Sequence, residues 1–310
     1  MLTIPLPELN QSGINPLYSG NIKRLATATG VKIIDSNYFL VTNSVGQRMY
    51  LFYFNLPTKE YNIVDQIDTT YNNKKVASEL IDYNEKDLVA ISNFTSGSQT
   101  LYKLKNYKLS HFKDLPKYMT RNKGSHGIGF VPKTHILGST YLSPCEISFM
   151  DYEKNANIYH INFEPFYAPK DIFFIDENHM LVIYTTGKIL NYSKENSYTS
   201  KVVYYEIDLI KKTHKIIDIF QIPGDSHTDS IVFHQGVIFV GNQRQNTVEV
   251  MLLDDNKISY LTSIEGFNLP HAVDIEPINN LLLVTNYGDN SVSIIEIPDA
   301  IKKNMYHKSH

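Results

Sequence analysis

The chain of 310 residues contains one cysteine, Cys145, and no tryptophan. A single cysteine excludes a disulfide within the chain and a zinc site built from several thiolates. No stretch approaches the ~18 apolar residues of a membrane-spanning helix. The start, MLTIPLPELNQ, lacks the basic and apolar segments of a secretory signal. The net charge is −3 and long basic runs are missing, which argues against nucleic-acid binding. We therefore expect a cytoplasmic protein that binds neither membranes nor nucleic acid.

Tyrosine and phenylalanine are plentiful, with 22 and 15 copies, and they favour half-buried β-strands. Six segments share one layout, in which an alternating strand leads to an apolar strand that closes with Asn or Thr. These segments are 29–43, 78–93, 126–140, 170–185, 227–242 and 271–286. Their starts lie 44 to 57 residues apart, and the longest interval contains a polar insertion at 187–201. The chain is therefore a repeat of one structural unit.

Two further alternating strands follow each of the first five segments, and helical spacing of apolar residues is missing. Four strands per repeat are typical of β-propeller blades. We predict an all-β fold, a single β-propeller domain of six four-stranded blades that start near residues 29, 78, 126, 170, 227 and 271. Seven blades are the alternative. The sixth unit stops after three strands, so we expect an N-terminal strand at about 17–24 to close the ring. Residues 303–310 would form a frayed tail.

The last unit, PHAVDIEPINNLLLVTNYGDNSVSIIEI, resembles the YVTN-type propeller repeat. The segment VIFVGNQRQNTVEVMLL (237–253) matches that repeat too, and units two to four match it weakly. The family includes lactonase-like proteins of the 6-phosphogluconolactonase type and members without an assigned activity. The resemblance therefore implies the propeller fold, and it implies a lactonase-like activity much less directly.

Each segment begins with a polar residue, and in a propeller these residues start the innermost strands around the central channel. They are Thr29, Ser78, His126, Lys170, His227 and His271. We predict a His-rich site at the channel mouth, with His126, His227 and His271 as catalytic residues and Asp229 as the group that supports His227. Asp229 is singled out because it interrupts an otherwise apolar position of the repeat. The predicted substrate-binding residues are Lys170, Arg48, Arg244, Asn242, Asn286 and Glu79.

Such a site suits hydrolysis, elimination or isomerisation of a small anionic or lactone substrate. One divalent metal ion held by His126, His227 and His271 is a further prediction, although the three residues come from separate blades. Two alternatives stay open at this point. Each histidine and each strand-ending asparagine can simply satisfy local backbone groups. The chain can also be a propeller without catalytic activity that binds a protein or peptide on this face.

Overall fold

The structure is a computed structural model that describes residues 1–7, 27–117, 123–163, 167–186 and 198–305. Its main elements are six four-stranded antiparallel sheets arranged as the blades of one propeller. The predicted all-β propeller with six blades is therefore confirmed, and the seven-bladed alternative is wrong. In the part of the chain that the structure describes, no helix is long and apolar enough to cross a membrane.

The chain opens with β1 (Leu2–Pro5). Blade one consists of β2 (Ala28–Asp35), β3 (Tyr38–Asn43), β4 (Arg48–Asn55) and β5 (Glu60–Asp68). A short hairpin of β6 (Thr70–Tyr71) and β7 (Lys74–Lys75) follows. Blade two consists of β8 (Ser78–Tyr83), β9 (Leu88–Asn93), β10 (Ser98–Lys105) and β11 (Lys108–Asp114). Blade three consists of β12 (Lys123–Phe130), β13 (Ile136–Ser143), β14 (Cys145–Asp151) and β15 (Ala156–Asn162).

Blade four consists of β16 (Tyr167–Phe174), β17 (His179–Thr186), β18 (Thr199–Asp208) and β19 (Thr213–Gln221). Blade five consists of β20 (Thr228–His234), β21 (Val237–Asn242), β22 (Thr247–Asp254) and β23 (Lys257–Glu265). Blade six consists of β24 (Pro270–Glu276), β25 (Leu281–Asn286), β26 (Ser291–Glu296) and the N-terminal strand β1. The helix α1 (Asp299–Met305) follows the last strand. Most of the predicted insertion at 187–201 falls outside the described residues, although β18 already begins at Thr199.

The core of the protein lies between neighbouring blades. The two middle strands of blade one, β3 and β4, are largely buried, whereas its outer strand β5 is mostly exposed. Phe39 and Phe52 of blade one belong to the same apolar cluster as Leu283 of blade six. Burial of apolar surface between blades is thus what holds the ring together.

The ring closes through β1, which pairs with β26 so that Leu2 lies opposite Ile294 and Ile4 opposite Val292. Closure by an N-terminal strand is confirmed, but the predicted location at 17–24 is wrong. Residues 2–5 occupy the outer position of blade six, and 17–24 lie outside the described residues. The alternating pattern of Leu2 and Ile4 buries both side chains and leaves Thr3 exposed, which a strand on this edge requires.

The predicted frayed tail is also wrong for residues 303–305, which complete α1. Ile301 and Met305 are one helical turn apart, and both are buried against the apolar cluster between blades five and six. Residues 306–310 lie outside the described residues.

Candidate functional site in the central channel

One residue of each blade's innermost strand belongs to a polar layer across the channel. In four blades this residue directly follows the strand residue that pairs with the closing asparagine. The four pairs are Ala28–Asn43, Ser78–Asn93, Thr228–Asn242 and Pro270–Asn286. In blades three and four it follows Ser125, paired with Tyr141, and Pro169, paired with Tyr184. The layer, here called the channel ring, consists of Thr29, Glu79, His126, Lys170, Asp229 and His271.

The sequence register therefore needs correction in two blades, because Glu79 and Asp229 take the ring positions that had been given to Ser78 and His227. Asp229 precedes its closing asparagine by 13 residues, whereas His271 precedes its own by 15. Hairpin length thus varies between blades, and a fixed spacing cannot place the ring. Ile231, rather than Asp229, occupies the apolar position in blade five, opposite Val240.

A belt of hydroxyl groups fixes the ring backbone, and these residues were missed in the sequence. Thr285 Oγ1 accepts the N–H of Ala272 in its own blade at 2.8 Å and donates to the Thr29 carbonyl of the next blade at 3.1 Å. The same double contact is made by Thr42, Ser92 and Thr140. The signal was visible, because a Thr or Ser stands just before the closing residue in segments such as LVTN and AISN.

Asp229 organises one half of the ring. Its Oδ1 accepts a hydrogen bond from Lys170 Nζ at 2.8 Å and lies 3.3 Å from His126 Nε2. Its Oδ2 lies 3.5 Å from Nδ1 of His227, the residue just before β20. Burial opposes ionisation of Asp229, but the Lys170 ammonium and the imidazole of His227 hold its pKa well below the usual range. Asp229 is therefore a carboxylate at neutral pH.

Glu79 and His271 form the other half. Glu79 Oε2 lies 3.5 Å from His271 Nε2, and the His271 ring stacks on Tyr287. His271 also stacks on His126, with ring centroids 5.5 Å apart, so the two halves of the ring meet. Burial, reinforced by the charge of Asp229, raises the pKa of Glu79 to about 8. The two acidic groups of the ring thus have opposite protonation preferences.

Backbone carbonyls of the neighbouring blades fix both stacked imidazoles. His126 Nδ1 lies 2.8 Å from the carbonyl oxygen of Lys170, and His271 Nδ1 lies 2.9 Å from that of Thr29. A carbonyl only accepts, so each Nδ1 carries the hydrogen and each Nε2 of the neutral ring carries a lone pair. Burial lowers the pKa of His271 to about 4, and burial together with the Lys170 charge lowers the pKa of His126. Both rings are neutral at pH 7.

The whole site is buried. His126, Lys170, His227, Asp229 and His271 are each at most 7% exposed, as is Glu79. Burial also lowers the pKa of His227 to about 4, and the edge of its ring contacts Tyr198. Ionisable groups concentrated in a dry layer of this kind are a frequent mark of functional sites.

The structure brings together His126, His227, His271, Asp229, Lys170 and Glu79, but places the other four predicted residues elsewhere. Asn242 donates to Glu249 Oε1 at 3.0 Å and accepts the N–H of His227 at 3.3 Å. Asn286 donates to the hydroxyls of two serines in its own blade, Ser291 and Ser293. Both side chains therefore hydrogen-bond to groups of their own blades rather than to members of the channel ring.

The two predicted arginines differ in their distance from the ring. Arg48 pairs with Asp68 at 3.1 Å on the outer part of blade one and does not contact the ring. Arg244 pairs with Asp225 at 2.8 Å and lies over the ring of Tyr198, which contacts His227. Arg244 is therefore three contacts away from Asp229, through Tyr198 and His227, and Arg48 belongs to a separate surface.

The predicted three-histidine metal centre does not form. Among the described residues, the ligand atoms that come within 4.8 Å of one another are those of Glu79, His126 and His271. His227 stands beside Asp229 instead, and Glu79 takes its place. The error follows from the register, because the sequence assignment put Ser78 where the structure has Glu79.

A cavity of about 890 Å³ opens at the opposite end of the inner strands. Its lining mixes apolar and charged side chains, and three of the charged groups join neighbouring blades. Lys32 Nζ lies 2.9 Å from Asp82 and 3.8 Å from Asp274. Asp82 accepts the N–H of Phe130 and Asp274 accepts that of Ile33, both across a blade boundary. These contacts assign a structural role to Lys32, Asp82 and Asp274.

Comparison with known proteins shows the fold and leaves the family open. No family profile matches the chain, and no curated protein matches its sequence. A candidate 6-phosphogluconolactonase of Bacteroides fragilis superposes with a TM-score of 0.60 at 14% identity, covering 96% of this chain and 91% of that one. Hydrazine synthase of Kuenenia stuttgartiensis gives 0.63 at 11% identity, covering 92% and 99%. The Cps50 (Swd1) propeller domain of Myceliophteria thermophila gives 0.59 at 10% identity, covering 87% and 84%. Membership of the YVTN-type family stays a prediction.

Proposed function

We propose that the protein is an enzyme that transforms a small anionic or lactone substrate in its central channel, with the channel ring as its acid–base machinery. The observation that carries this proposal is the convergence of two acidic groups, an ammonium and two imidazoles in the buried channel ring, with the buried imidazole of His227 beside it. Structural needs alone would not favour this arrangement, because buried ionisable groups cost free energy that apolar side chains avoid.

The roles follow from the two halves of the ring. Asp229 is a carboxylate beside His126 and His227 that would stabilise the protonated form of either imidazole, so either one can accept a proton from water or from a substrate carbon. Glu79 retains a proton at neutral pH and can donate it to a leaving oxygen. Lys170 supplies positive charge for a substrate anion, although it already binds Asp229. A base beside an acid serves lactone hydrolysis, elimination and isomerisation alike.

The comparisons support this proposal only through the fold. The Bacteroides fragilis neighbour, described as a candidate lactonase, covers nearly the whole chain at 14% identity. A cytoplasmic location, expected from the sequence, belongs to the same proposal.

The test is turnover of a panel of sugar-acid lactones and hydroxy acids by the purified protein. Proton release reports lactone hydrolysis, and ultraviolet absorbance of a new double bond reports elimination. We expect Asp229→Asn to lower kcat by about 100-fold or more, since general acid–base groups contribute about 10²- to 10⁴-fold. Asp218→Asn is the matched control, because Asp218 joins blades four and five through the N–H of Ile258 on their outer strands. Equal activity of the two variants would refute the assignment.

The second candidate, a propeller without catalytic activity that binds a protein or peptide, has less support. It requires an exposed apolar patch at the channel mouth. The exposed apolar side chains of the outer strands are Tyr61, Ile63, Phe112, Ile216, Ile219 and Tyr260. These strands lie at the rim of the propeller, away from the ring.

A further inference from the structure

We infer that Glu79, His126 and His271 bind one divalent transition-metal ion, of the class of Zn²⁺, at the centre of the channel ring. One ligand atom of each residue lies within 4.8 Å of the others, and all three side chains are buried. The inference concerns the ring of the proposed function but rests on ligand geometry, so it can be tested without a substrate.

The first support is the orientation of the imidazoles. Histidines that bind metals usually donate their second N–H to a carbonyl or a carboxylate, which fixes the tautomer and aims the other nitrogen at the metal. Both His126 and His271 have this arrangement, with Nδ1 held by the carbonyl of Lys170 and of Thr29. The hydroxyl belt holds these same two carbonyls through Thr140 and Thr285, so the aim of both rings is anchored in the backbone of the neighbouring blades.

The second support is the spacing of the ligand atoms. Zinc–ligand distances of about 2.0–2.2 Å in a tetrahedral site separate two ligand atoms by roughly 3.4 Å. His271 Nε2 and Glu79 Oε2 are 3.5 Å apart, so this pair already has the separation that a shared ion needs. The ligand atom of His126 lies within 4.8 Å of the other two, so its separations exceed the tetrahedral value by at most about 1.4 Å.

The third support is the direction of the lone pairs. In the neutral imidazoles, each Nε2 presents a lone pair to an acidic oxygen, of Asp229 for His126 and of Glu79 for His271. A lone pair facing a carboxylate oxygen is repulsive unless a proton or a cation lies between them. In the metal-free protein the proton of Glu79 can lie between Glu79 and His271. A metal ion bound to both Nε2 atoms and to Glu79 would displace that proton to solvent and also occupy the lone pair of His126, while Lys170 continues to neutralise Asp229.

The donor set selects the class of ion. Two imidazole nitrogens and one carboxylate suit Zn²⁺, Fe²⁺ or Co²⁺, whereas Ca²⁺ and Mg²⁺ prefer sites made of oxygen alone. Three protein ligands also leave coordination positions for water or a substrate oxygen, as in catalytic rather than structural zinc sites. A bound ion would therefore polarise a substrate carbonyl at the ring.

The experiment is Co²⁺ and Zn²⁺ binding to chelator-treated protein, measured by calorimetry, by Co²⁺ absorption and by metal content. We expect one ion per chain and a Co²⁺ spectrum of four- or five-coordinate geometry. Loss of a residue that hydrogen-bonds to a metal-binding side chain weakens metal affinity by about 10- to 100-fold, and loss of the metal-binding side chain itself costs more. Glu79→Gln and His271→Gln should therefore weaken binding by more than about 100-fold. His227→Gln is the matched control, a buried channel imidazole outside the triad, and should keep its metal.

Circular dichroism establishes that each variant is folded. If His271→Gln unfolds, Glu79→Gln, which preserves the shape of the side chain, still tests the loss of a metal-binding group. Absence of stoichiometric binding to the unmodified protein would overturn the inference, as would equal losses in His227→Gln and His271→Gln. Metal binding without turnover of any substrate would refute the proposed function and leave the metal site standing. Turnover that survives complete metal removal would leave the function standing and show that the ion is not needed for it.

Discussion

The N-terminal strand β1 offers a direct measurement of how the ring is closed. Ile4 is fully buried opposite Val292 and belongs to an apolar cluster that spans blades six and one, together with Leu2 and Leu6. Replacing Ile4 with alanine keeps the backbone pairing and removes side-chain contacts on both sides of the closure. The perturbation therefore tests closure without truncating the chain.

The expected loss can be worked from this burial. Substitutions of a buried Ile, Leu or Met by Ala cost about 2–5 kcal/mol, because transfer free energy is lost and a cavity remains. We place Ile4→Ala near 3 kcal/mol, since the neighbours lie in two blades and collapse only in part. Thr3→Ala is the matched control, because Thr3 lies in the same strand with its side chain exposed. Surface substitutions of this kind change stability by about 0.5 kcal/mol or less.

Guanidinium unfolding followed by far-ultraviolet circular dichroism suits a chain without tryptophan. Ile4→Ala should shift the midpoint clearly, and Thr3→Ala should leave it in place. If the two variants unfold at the same denaturant concentration, β1 is not docked in solution. Another segment would then complete blade six, and the closure described above would be refuted.

Two further outcomes follow from contacts near the ring. A methyl group at Gly127 would lie 2.5 Å from the Asp171 Cα, whereas at Gly241 the nearest atom, the Pro270 carbonyl oxygen, is 3.2 Å away. Gly127→Ala should therefore lower the free energy of unfolding by about 2 kcal/mol or more, and Gly241→Ala by less than about 1 kcal/mol, in the same denaturation assay. Burial raises the pKa of Asp171 to about 8, so the folded chain binds this proton more tightly than the unfolded chain. The Asp171 contribution is full below the unfolded pKa near 4 and declines up to about pH 8, by at most about 1.4 kcal/mol per pH unit. Asp171→Asn should flatten unfolding midpoints measured from about pH 5 to pH 8, and an unchanged slope would contradict the assignment.

The repeat itself could be predicted from the sequence because its signals are local. Period-two alternation and turn residues recur in every unit, and both arise within a few residues of chain. The hairpins bear this out, since Asn106 and Tyr107 both have positive φ angles of 51° and 57° in the two-residue turn between β10 and β11.

The positions of the closing strand β1 and of the helix α1 could not be predicted in the same way, because the residues they pack against are distant in the chain. The four residues of β1 pair with β26 nearly 300 positions later, and four alternating residues carry little information by themselves. Ile301 and Met305 do show helical spacing, but a single turn next to a polar tail is a weak signal.

The sequence predicts which part of each blade contributes to the site. It does not predict which residue of the inner strand faces the channel. The sequence pattern singles out Asp229 as an interruption of an apolar series, yet Ile231 keeps that series intact and Asp229 belongs to the ring. Glu79, predicted as a substrate-binding residue, lies 3.5 Å from His271. Pairing to the closing asparagine, which only the sheet reveals, determines which residue reaches the channel.

The two charged layers of the channel show why the ring, rather than the cavity at the opposite end of the inner strands, is the candidate site. Around the cavity, the carboxylate oxygens of Asp82 and Asp274 accept hydrogen bonds from backbone N–H groups of neighbouring blades, and Asp82 also pairs with Lys32. These charges therefore stabilise the fold. In the ring, the hydroxyl belt already satisfies the backbone, and the imidazole Nε2 atoms point at acidic oxygens instead. Apolar residues could fill the same volume at lower electrostatic cost. The proposed acid–base function and the proposed metal site would each account for this arrangement.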